Sequence, residues 1–205
     1  MAKILEEIKA PIGREMKLFE EKFYQSMQSS VPLLDKITQF IIATKGKQMR
    51  PILVFLSAKM TGEVSEKTFR GASLIELIHT AALVHDDVVD ESDERRGRAS
   101  VHHIYDNKIA VLLGDYMLAQ TLEQSALTGS VRVVEAVARL GATLAEGEIM
   151  QLTAVHKAAI SESAYFSIIS RKTASLFEAC GSLAALSMHA SEEILPVSYT
   201  HLTLP

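Results

Sequence analysis

Three aspartates, Asp86, Asp87 and Asp90, directly follow an apolar stretch that begins near Leu74. If this stretch is helical, Asp86 and Asp90 lie one turn apart on one face of the helix. Ionised carboxylates at the end of a buried helix must be paired, hydrated or bound to metal. Mg²⁺ typically takes a few carboxylate ligands and completes its shell with water and phosphate oxygens. The pattern therefore predicts a Mg²⁺ site held by the three aspartates.

Two arginines, Arg95 and Arg96, follow this acidic run. Guanidinium groups are planar forks that bind phosphate through two hydrogen bonds. We therefore predict a Mg²⁺–diphosphate site at the mouth of a helical cavity. The alternative is that the acidic run is a solvated helix end. An EF-hand loop is excluded, because its Asp-x-Asp-x-Asp-Gly spacing and closing glutamate are absent.

Other segments of the chain carry further side chains that could bind anions. These are Lys47, Arg50, His79, Lys172 and Thr173. Together with the acidic run they favour diphosphate binding over a solvated helix end. For His79 the alternative is a core histidine, but it precedes Asp86 by two helical turns and so lies on nearly the same face.

In six segments, taken together, the chain resembles the trans-polyprenyl diphosphate synthase family, and most closely its long-chain, octaprenyl-like members. The segments are GKQMRP at 46–51, His79, DDVVDESDERRG at 86–97, LGDY at 113–116, GEIMQL at 147–152 and the Lys172–Thr173 pair. The resemblance implies an isoprenoid-synthase fold and an enzyme of isoprenoid biosynthesis. Such an enzyme condenses isopentenyl diphosphate with an allylic diphosphate. The implied product is a medium- or long-chain all-trans polyprenyl diphosphate, a precursor of quinone side chains.

The resemblance also implies a role for each candidate residue. Asp86, Asp87 and Asp90 would hold Mg²⁺; Arg95, Lys172 and Thr173 would contact the allylic diphosphate; Lys47, Arg50, His79 and Arg96 would bind isopentenyl diphosphate. Ionisation of the allylic C–O bond separates charge, so catalysis would be mainly electrostatic stabilisation of the leaving diphosphate. A homodimer is the implied assembly of the complete protein.

Product length can be argued from the residues one turn before Asp86, which are Ala81 and Ala82. A growing isoprenoid chain must pass them, and small side chains leave the path open where aromatic ones would block it. We therefore expect both alanines to line the tunnel. Tight helix packing is the alternative reason for alanine at these positions.

The apolar residues recur with a helical period almost throughout, and no proline lies between Pro51 and Pro196. We predict helices over 34–44, 52–60, 65–90, 109–127, 130–155 and 161–189, forming an all-α bundle around a central cavity. With 48% hydrophobic and 22% charged residues the composition is that of a globular domain. A net charge of −4 gives no reason to expect nucleic acid binding. A single cysteine, Cys180, favours a reducing cytoplasm, and no stretch is apolar enough for a membrane span.

The last residues break the helical pattern. We expect 1–194 to be the N-terminal part of one prenyl synthase domain and 195–205 to be an unrelated, foreign tail. Family members carry a second aspartate-rich motif that this chain lacks, so the chain is expected to be an inactive fragment. A non-catalytic subunit of a heteromeric synthase and a terpene cyclase are the alternatives. The intact aspartate and arginine motifs argue against the first, and dependence on isopentenyl diphosphate would exclude the second.

Overall fold

The computed structural model describes residues 2–44, 46–95, 97–155 and 160–188. These residues are almost entirely helical, which confirms the predicted all-α class. The helices are α1 (Ala2–Lys9), α2 (Gly13–Ser26), α3 (Pro32–Ala43), α4 (Met49–Thr61), α5 (Glu66–Val89), α6 (Val101–Tyr105), α7 (Asn107–Ala126), α8 (Val131–Val155), α9 (Glu162–Ile169) and α10 (Ser175–Ser187). A short 3₁₀ turn, Ala10–Ile12, joins α1 to α2, and a π-helical turn, Ser170–Ala174, joins α9 to α10.

Helix α5 is the centre of the fold and packs against α2, α4, α7, α8 and α10. Leu74, Ile75 and Leu77 are fully buried on different sides of the helix. A helix that is apolar nearly all round must be surrounded by other elements. At its start the backbone N–H of Ser65 donates to Thr68 Oγ1 at 3.1 Å, which defines the first turn. The predicted helix over 65–90 is confirmed.

The helices predicted at 109–127 and 130–155 are also confirmed, within two residues at each end. The helix predicted over 161–189 is instead divided by the π-helical turn into α9 and α10, and its last predicted residue lies outside the described part of the chain. A hydrophobic period does not distinguish one wide turn from regular α-helix, since apolar residues continue on both sides.

A small hairpin follows α5 and was not predicted. Its strands are β1 (Glu94–Arg95) and β2 (Arg98–Ala99), which pair antiparallel with Arg95 opposite Arg98. Gly97, with φ 73°, supplies the left-handed conformation needed in the turn. Strands of two residues are too short to produce an alternating pattern in the sequence. The hairpin places Arg95 beside the end of α5.

Four aromatic rings pack together in the core where α2, α4 and α5 meet. Phe19 lies 5.5 Å from Phe23 and 5.9 Å from Phe55, and Phe55 lies 5.1 Å from Phe69, between ring centroids. Such pairs add to the free energy gained by burying the rings. They fix α4, and with it the segment that precedes Met49, against the central helix.

Among the helices in the described ranges, none combines the length and the apolar character that crossing a bilayer requires.

Candidate active site

The end of α5 directs its aspartates to different sides of the helix. Asp86 is half-buried and lines a cavity between α5, α8 and the π-helical turn. Asp87 is buried, with 5% of its surface exposed, and faces the hairpin instead. Asp90, one turn beyond Asp86, caps the helix and is exposed. Neighbouring residues on an α-helix point about 100° apart, so Asp86 and Asp87 meet different surroundings.

Asp87 is bound to Arg95. The guanidinium donates from Nε to Asp87 Oδ1 at 2.7 Å, and its Nη2 lies 2.6 Å from the same oxygen in an ion pair. The hydrogen bond with Asp87 raises the pKa of Arg95, which burial alone would lower. The structure therefore places Arg95, predicted to contact a diphosphate, against a buried carboxylate.

The three aspartates predicted to bind a metal ion differ in what their side chains contact. In the part of the chain that the structure describes, no group of three or more histidine, cysteine, aspartate or glutamate side chains is arranged to hold a metal ion. Asp87 differs from the other two because its carboxylate is paired with Arg95, and its role as a metal ligand stays a prediction. Asp86 and Asp90 are left as hard oxygen donors one turn apart, a pair that suits a cation keeping several water ligands.

Charged groups of both signs lie near the carboxyl of Asp86. Burial, and next the carboxylate of Glu148, raise its pKa to about 6, while the ammonium of Lys172 works in the other direction. Asp90 adds a further negative charge. A divalent cation would relieve this repulsion, so the electrostatics of the site fit a bound metal ion.

Lys172 lies in the π-helical turn and reaches across to α8. Its ammonium forms an ion pair with Glu148 Oε2 and donates to Gln151 Oε1 at 2.9 Å. Gly147 makes this approach possible, because a Cβ there would lie 2.8 Å from Arg171 Cβ. The turn and α8 therefore pack closely enough for Lys172 to enter the cavity that Asp86 lines.

A second group of cationic side chains lies where α4 begins. Lys47, Arg50 and His79 line one cavity of about 390 Å³, together with Glu76 of α5. Gln48 has the left-handed conformation, φ 54°, and so turns the chain into α4. The structure thus brings together three of the four residues predicted to bind isopentenyl diphosphate. The fourth, Arg96, lies outside the described residues.

An apolar cavity of about 530 Å³ extends from Asp86 between α5, α7 and α8. Its apolar lining includes Ile78, Ala82, Leu83, Leu118, Leu144 and Leu176. His79 lines this cavity as well as the one beside Lys47. Arg50, Lys172 and Thr173 contribute polar groups to it. Two cationic regions therefore adjoin one apolar cavity.

The two alanines before Asp86 have different surroundings. Ala82 lines the apolar cavity, as predicted. Ala81 is fully buried in the helical core and does not line that cavity. The burial of Ala81 agrees with the alternative interpretation, tight packing between helices, and its place in the tunnel stays a prediction.

Residues 31–203 match the family model described as Polyprenyl synthetase. The chain belongs to this family. The match covers every motif on which the resemblance was based, from Gly46 to Thr173, and the residues that form both cationic regions.

Relatives of this chain are found among characterised proteins and solved structures. The chain is 35% identical over 188 residues to octaprenyl diphosphate synthase of Haemophilus influenzae, covering 92% of this chain and 57% of the relative. It superposes on a decaprenyl diphosphate synthase of Rhodobacter capsulatus with a TM-score of 0.92 and 34% identity, covering 97% of this chain and 61% of that one.

A polyprenyl synthase of Caulobacter crescentus, whose structure is complexed with calcium and isoprenyl diphosphate, also superposes with a TM-score of 0.92. The identity is 31%, and the match covers 97% of this chain and 60% of that one. The chain thus spans about three fifths of the length of these relatives.

Three residues of the candidate site were not among the predicted ones. Glu148 and Gln151 bind Lys172, and Glu76 lies among the cationic side chains near Lys47. The spacing of Glu148 and Gln151, three residues apart after Gly147, places them on one face of α8. That spacing could have indicated a shared partner, but the identity of the partner depends on how α8 packs.

Proposed function

We propose that the whole protein is a prenyltransferase that condenses isopentenyl diphosphate with an allylic diphosphate. The observation that carries this proposal is the placement of two separate cationic regions beside one apolar cavity. Two anionic substrates require two sets of cationic side chains, and an isoprenoid product requires an apolar volume between them. A terpene cyclase, with one diphosphate substrate, would not need the second set.

Asp86 and Asp90 are the proposed ligands of Mg²⁺. When bound there, Mg²⁺ neutralises the negative charge that develops on the leaving diphosphate. Lys172 and Thr173 bind the same diphosphate from the opposite side of the cavity, where both line the wall. Asp86 is the residue whose ionised form this arrangement must stabilise, because its environment raises its pKa.

Asp87 and Arg95 act as a pair in this proposal. Asp87 holds the guanidinium beside the end of α5 through Nε and Nη2, which leaves the other terminal nitrogen, Nη1, outside that contact. Arg95 can then contact the allylic diphosphate from a fixed position. Asp87 would serve as the residue that orients Arg95 rather than as a metal ligand.

Lys47, Arg50 and His79 are proposed to bind the diphosphate of isopentenyl diphosphate, with Arg96 completing the set. Arg50 lies with its guanidinium carbon 5.7 Å from the ring centroid of Phe177, a contact that orients its planar group. His79 lines both cavities, so it lies between the two proposed substrate positions. No side chain is assigned as the base, and the departing diphosphate is the proposed proton acceptor.

The apolar cavity is proposed to hold the growing isoprenoid chain, with Ala82 at its side. The relatives named above make octaprenyl and decaprenyl diphosphates. A medium- or long-chain product of the type used in quinones follows from an open cavity lined by aliphatic rather than aromatic side chains.

A homodimer is the proposed assembly, with the cytoplasm as its location. Helix α7 exposes several large apolar side chains, namely Val111, Leu112 and Leu122. Exposed apolar groups on a helix favour burial against another copy of the chain. The single buried cysteine, Cys180, fits a reducing compartment.

The direct test is incorporation of labelled isopentenyl diphosphate in the presence of farnesyl diphosphate and Mg²⁺. The present chain would be assayed beside a version extended to the full length of its relatives. We expect the extended protein to make polyprenyl diphosphates that disappear when isopentenyl diphosphate or Mg²⁺ is omitted. A product formed from farnesyl diphosphate alone would support a cyclase instead.

A further inference from the structure

We propose that Glu148 is a positioning residue that fixes the ammonium of Lys172 for binding of the allylic diphosphate. This inference rests on the proposed function, because it assigns Lys172 to that diphosphate. It adds a residue of α8 that does not itself bind substrate. The argument depends on three observations: the ion pair, the second hydrogen bond and the close approach at Gly147.

The ion pair between Glu148 and Lys172 has little exposure to solvent. The side chain of Glu148 is 17% exposed and that of Lys172 is 23% exposed. An ammonium of such low exposure requires a compensating charge, since it loses most of its hydration. Glu148 Oε2 supplies that charge. Without it, Lys172 would move toward solvent.

A second acceptor defines where the ammonium lies. Gln151, three residues after Glu148 on the same face of α8, accepts from Lys172 Nζ at 2.9 Å. An ammonium has three donors, and two of them are taken by these acceptors. The third remains for an anion in the cavity that Lys172 lines. The two acceptors on α8 therefore set both the place and the direction of the remaining donor.

The backbone at Gly147 and in the π-helical turn allows Lys172 to approach α8 closely. Lys172 lies in the π-helical turn, and a Cβ on Gly147 would lie 3.0 Å from Lys172 Cγ and 2.8 Å from Arg171 Cβ. A wide turn places one additional residue in the helix and redirects its side chains. Glycine at 147 lets that turn approach α8. The contact is thus supported by the local backbone on both elements.

Two further features of Glu148 indicate more than a structural ion pair: one of its oxygens has no partner in the described part of the chain, and its charge acts on Asp86. Its other oxygen, Oε1, is buried and has no hydrogen-bond partner among the described residues. Its charge acts on Asp86, the proposed metal ligand. An incompletely satisfied carboxylate is unfavourable for stability, which indicates that its presence serves the site. Glu148 thus lies between the metal-binding side and the lysine side of the cavity.

The test measures binding of inorganic diphosphate by titration calorimetry at saturating Mg²⁺, with the protein extended to the full length of its relatives. We expect Glu148→Ala to weaken binding about tenfold, because Lys172 is no longer held. Glu148→Gln keeps a carbonyl acceptor but loses the compensating charge, so it should weaken binding by a smaller factor than Glu148→Ala. Glu135→Ala is the matched control, since Glu135 is an exposed carboxylate of the same helix paired with Arg139, and it should leave binding unchanged.

A double-substitution cycle separates positioning from general disruption. If Glu148 acts through Lys172, then Glu148→Ala combined with Lys172→Ala binds diphosphate no more weakly than Lys172→Ala alone. Additive losses would overturn the inference. So would unchanged or tighter binding by Glu148→Ala, because Glu148 would then only compete with diphosphate for the lysine.

Failure of the proposed function gives a different result. If the unmodified extended protein binds no diphosphate with Mg²⁺, the proposed function itself is contradicted and the inference with it. If the unmodified extended protein binds and Lys172→Ala weakens binding while Glu148→Ala does not, only the role of Glu148 is wrong. Melting temperatures of all variants, recorded in the same buffer, identify any variant that is not folded.

Discussion

Two guanidinium nitrogens of Arg95 contact a single oxygen of Asp87: Nε donates to it at 2.7 Å, and Nη2 lies 2.6 Å from it in an ion pair. This contact joins the last turn of α5 to the hairpin that follows it. The carboxylate is 7% exposed and the guanidinium 36% exposed, so the pair is buried on one side and open on the other. An aspartate in an aspartate-rich motif thus neutralises an arginine at this position.

Removing the guanidinium should destabilise the protein. Arg95→Met leaves the buried Asp87 carboxylate without its partner, and we expect a loss of about 1–2 kcal/mol, less than for a fully buried pair because Arg95 is partly exposed. Arg98→Met, in the paired strand β2, is the matched control because Arg98 is exposed. Thermal unfolding at pH 7.5 would measure both, and equal melting temperatures would contradict a structural role for the pair.

Replacing Asp86 should stabilise the metal-free protein above pH 6. Its pKa is about 6 in the folded chain and 3.8 for the ordinary side chain, so the folded state binds more protons between these values. Its contribution therefore becomes less favourable as pH rises from about 3.8 to 6, and the full penalty remains above that. After allowance for partial exposure, we expect Asp86→Asn to gain on the order of 1 kcal/mol at pH 7.5.

The comparison requires a second pH and a charge control. At pH 4 the gain from Asp86→Asn should be lost, because the native carboxyl is then protonated. Glu63→Gln makes the same charge change at an exposed position before α5 and should show no such dependence. Chemical denaturation in the presence of a chelator would measure all three proteins. A gain that is the same at both pH values would refute the assignment to Asp86.

The two alanines should respond differently to phenylalanine. Ala82→Phe places a ring in the apolar cavity and should shift the products of the full-length enzyme toward shorter chains. Ala81→Phe places it in the core, where overpacking costs about 1–3 kcal/mol. Product chromatography and melting temperatures would measure these effects. An unchanged product distribution for Ala82→Phe would contradict the proposed path of the isoprenoid chain.

A side chain at Gly114 should force the imidazole of His85 to move. A Cβ there would lie 2.2 Å from His85 Nε2, which contacts the carbonyl oxygen of Val111 at 3.2 Å. We expect Gly114→Ala to displace His85 and destabilise the protein by about 1–2 kcal/mol. Gly13→Ala is the control, because a Cβ there meets no atom within 4 Å and alanine favours helix. Thermal melts in which both variants behave alike would contradict close packing at Gly114.

Much of the fold was predictable because the signals are local. The helical period and the absence of proline between Pro51 and Pro196 identified the long helices within a few residues. The hairpin around Gly97 and the π-helical turn were not predictable in this way. Two-residue strands and a single wide turn leave the apolar pattern almost unchanged.

The sequence by itself determined which residues could carry the chemistry: the aspartates after the apolar stretch, the arginines beyond them, and the cationic residues near Lys47 and Lys172. Tertiary structure decided how they are used. It places Asp86 and Asp87 in different surroundings and buries Ala81 in the core. It also pairs Lys172 with Glu148. Residue types and spacing follow from local sequence, whereas the direction of a side chain depends on which distant helix packs against each face.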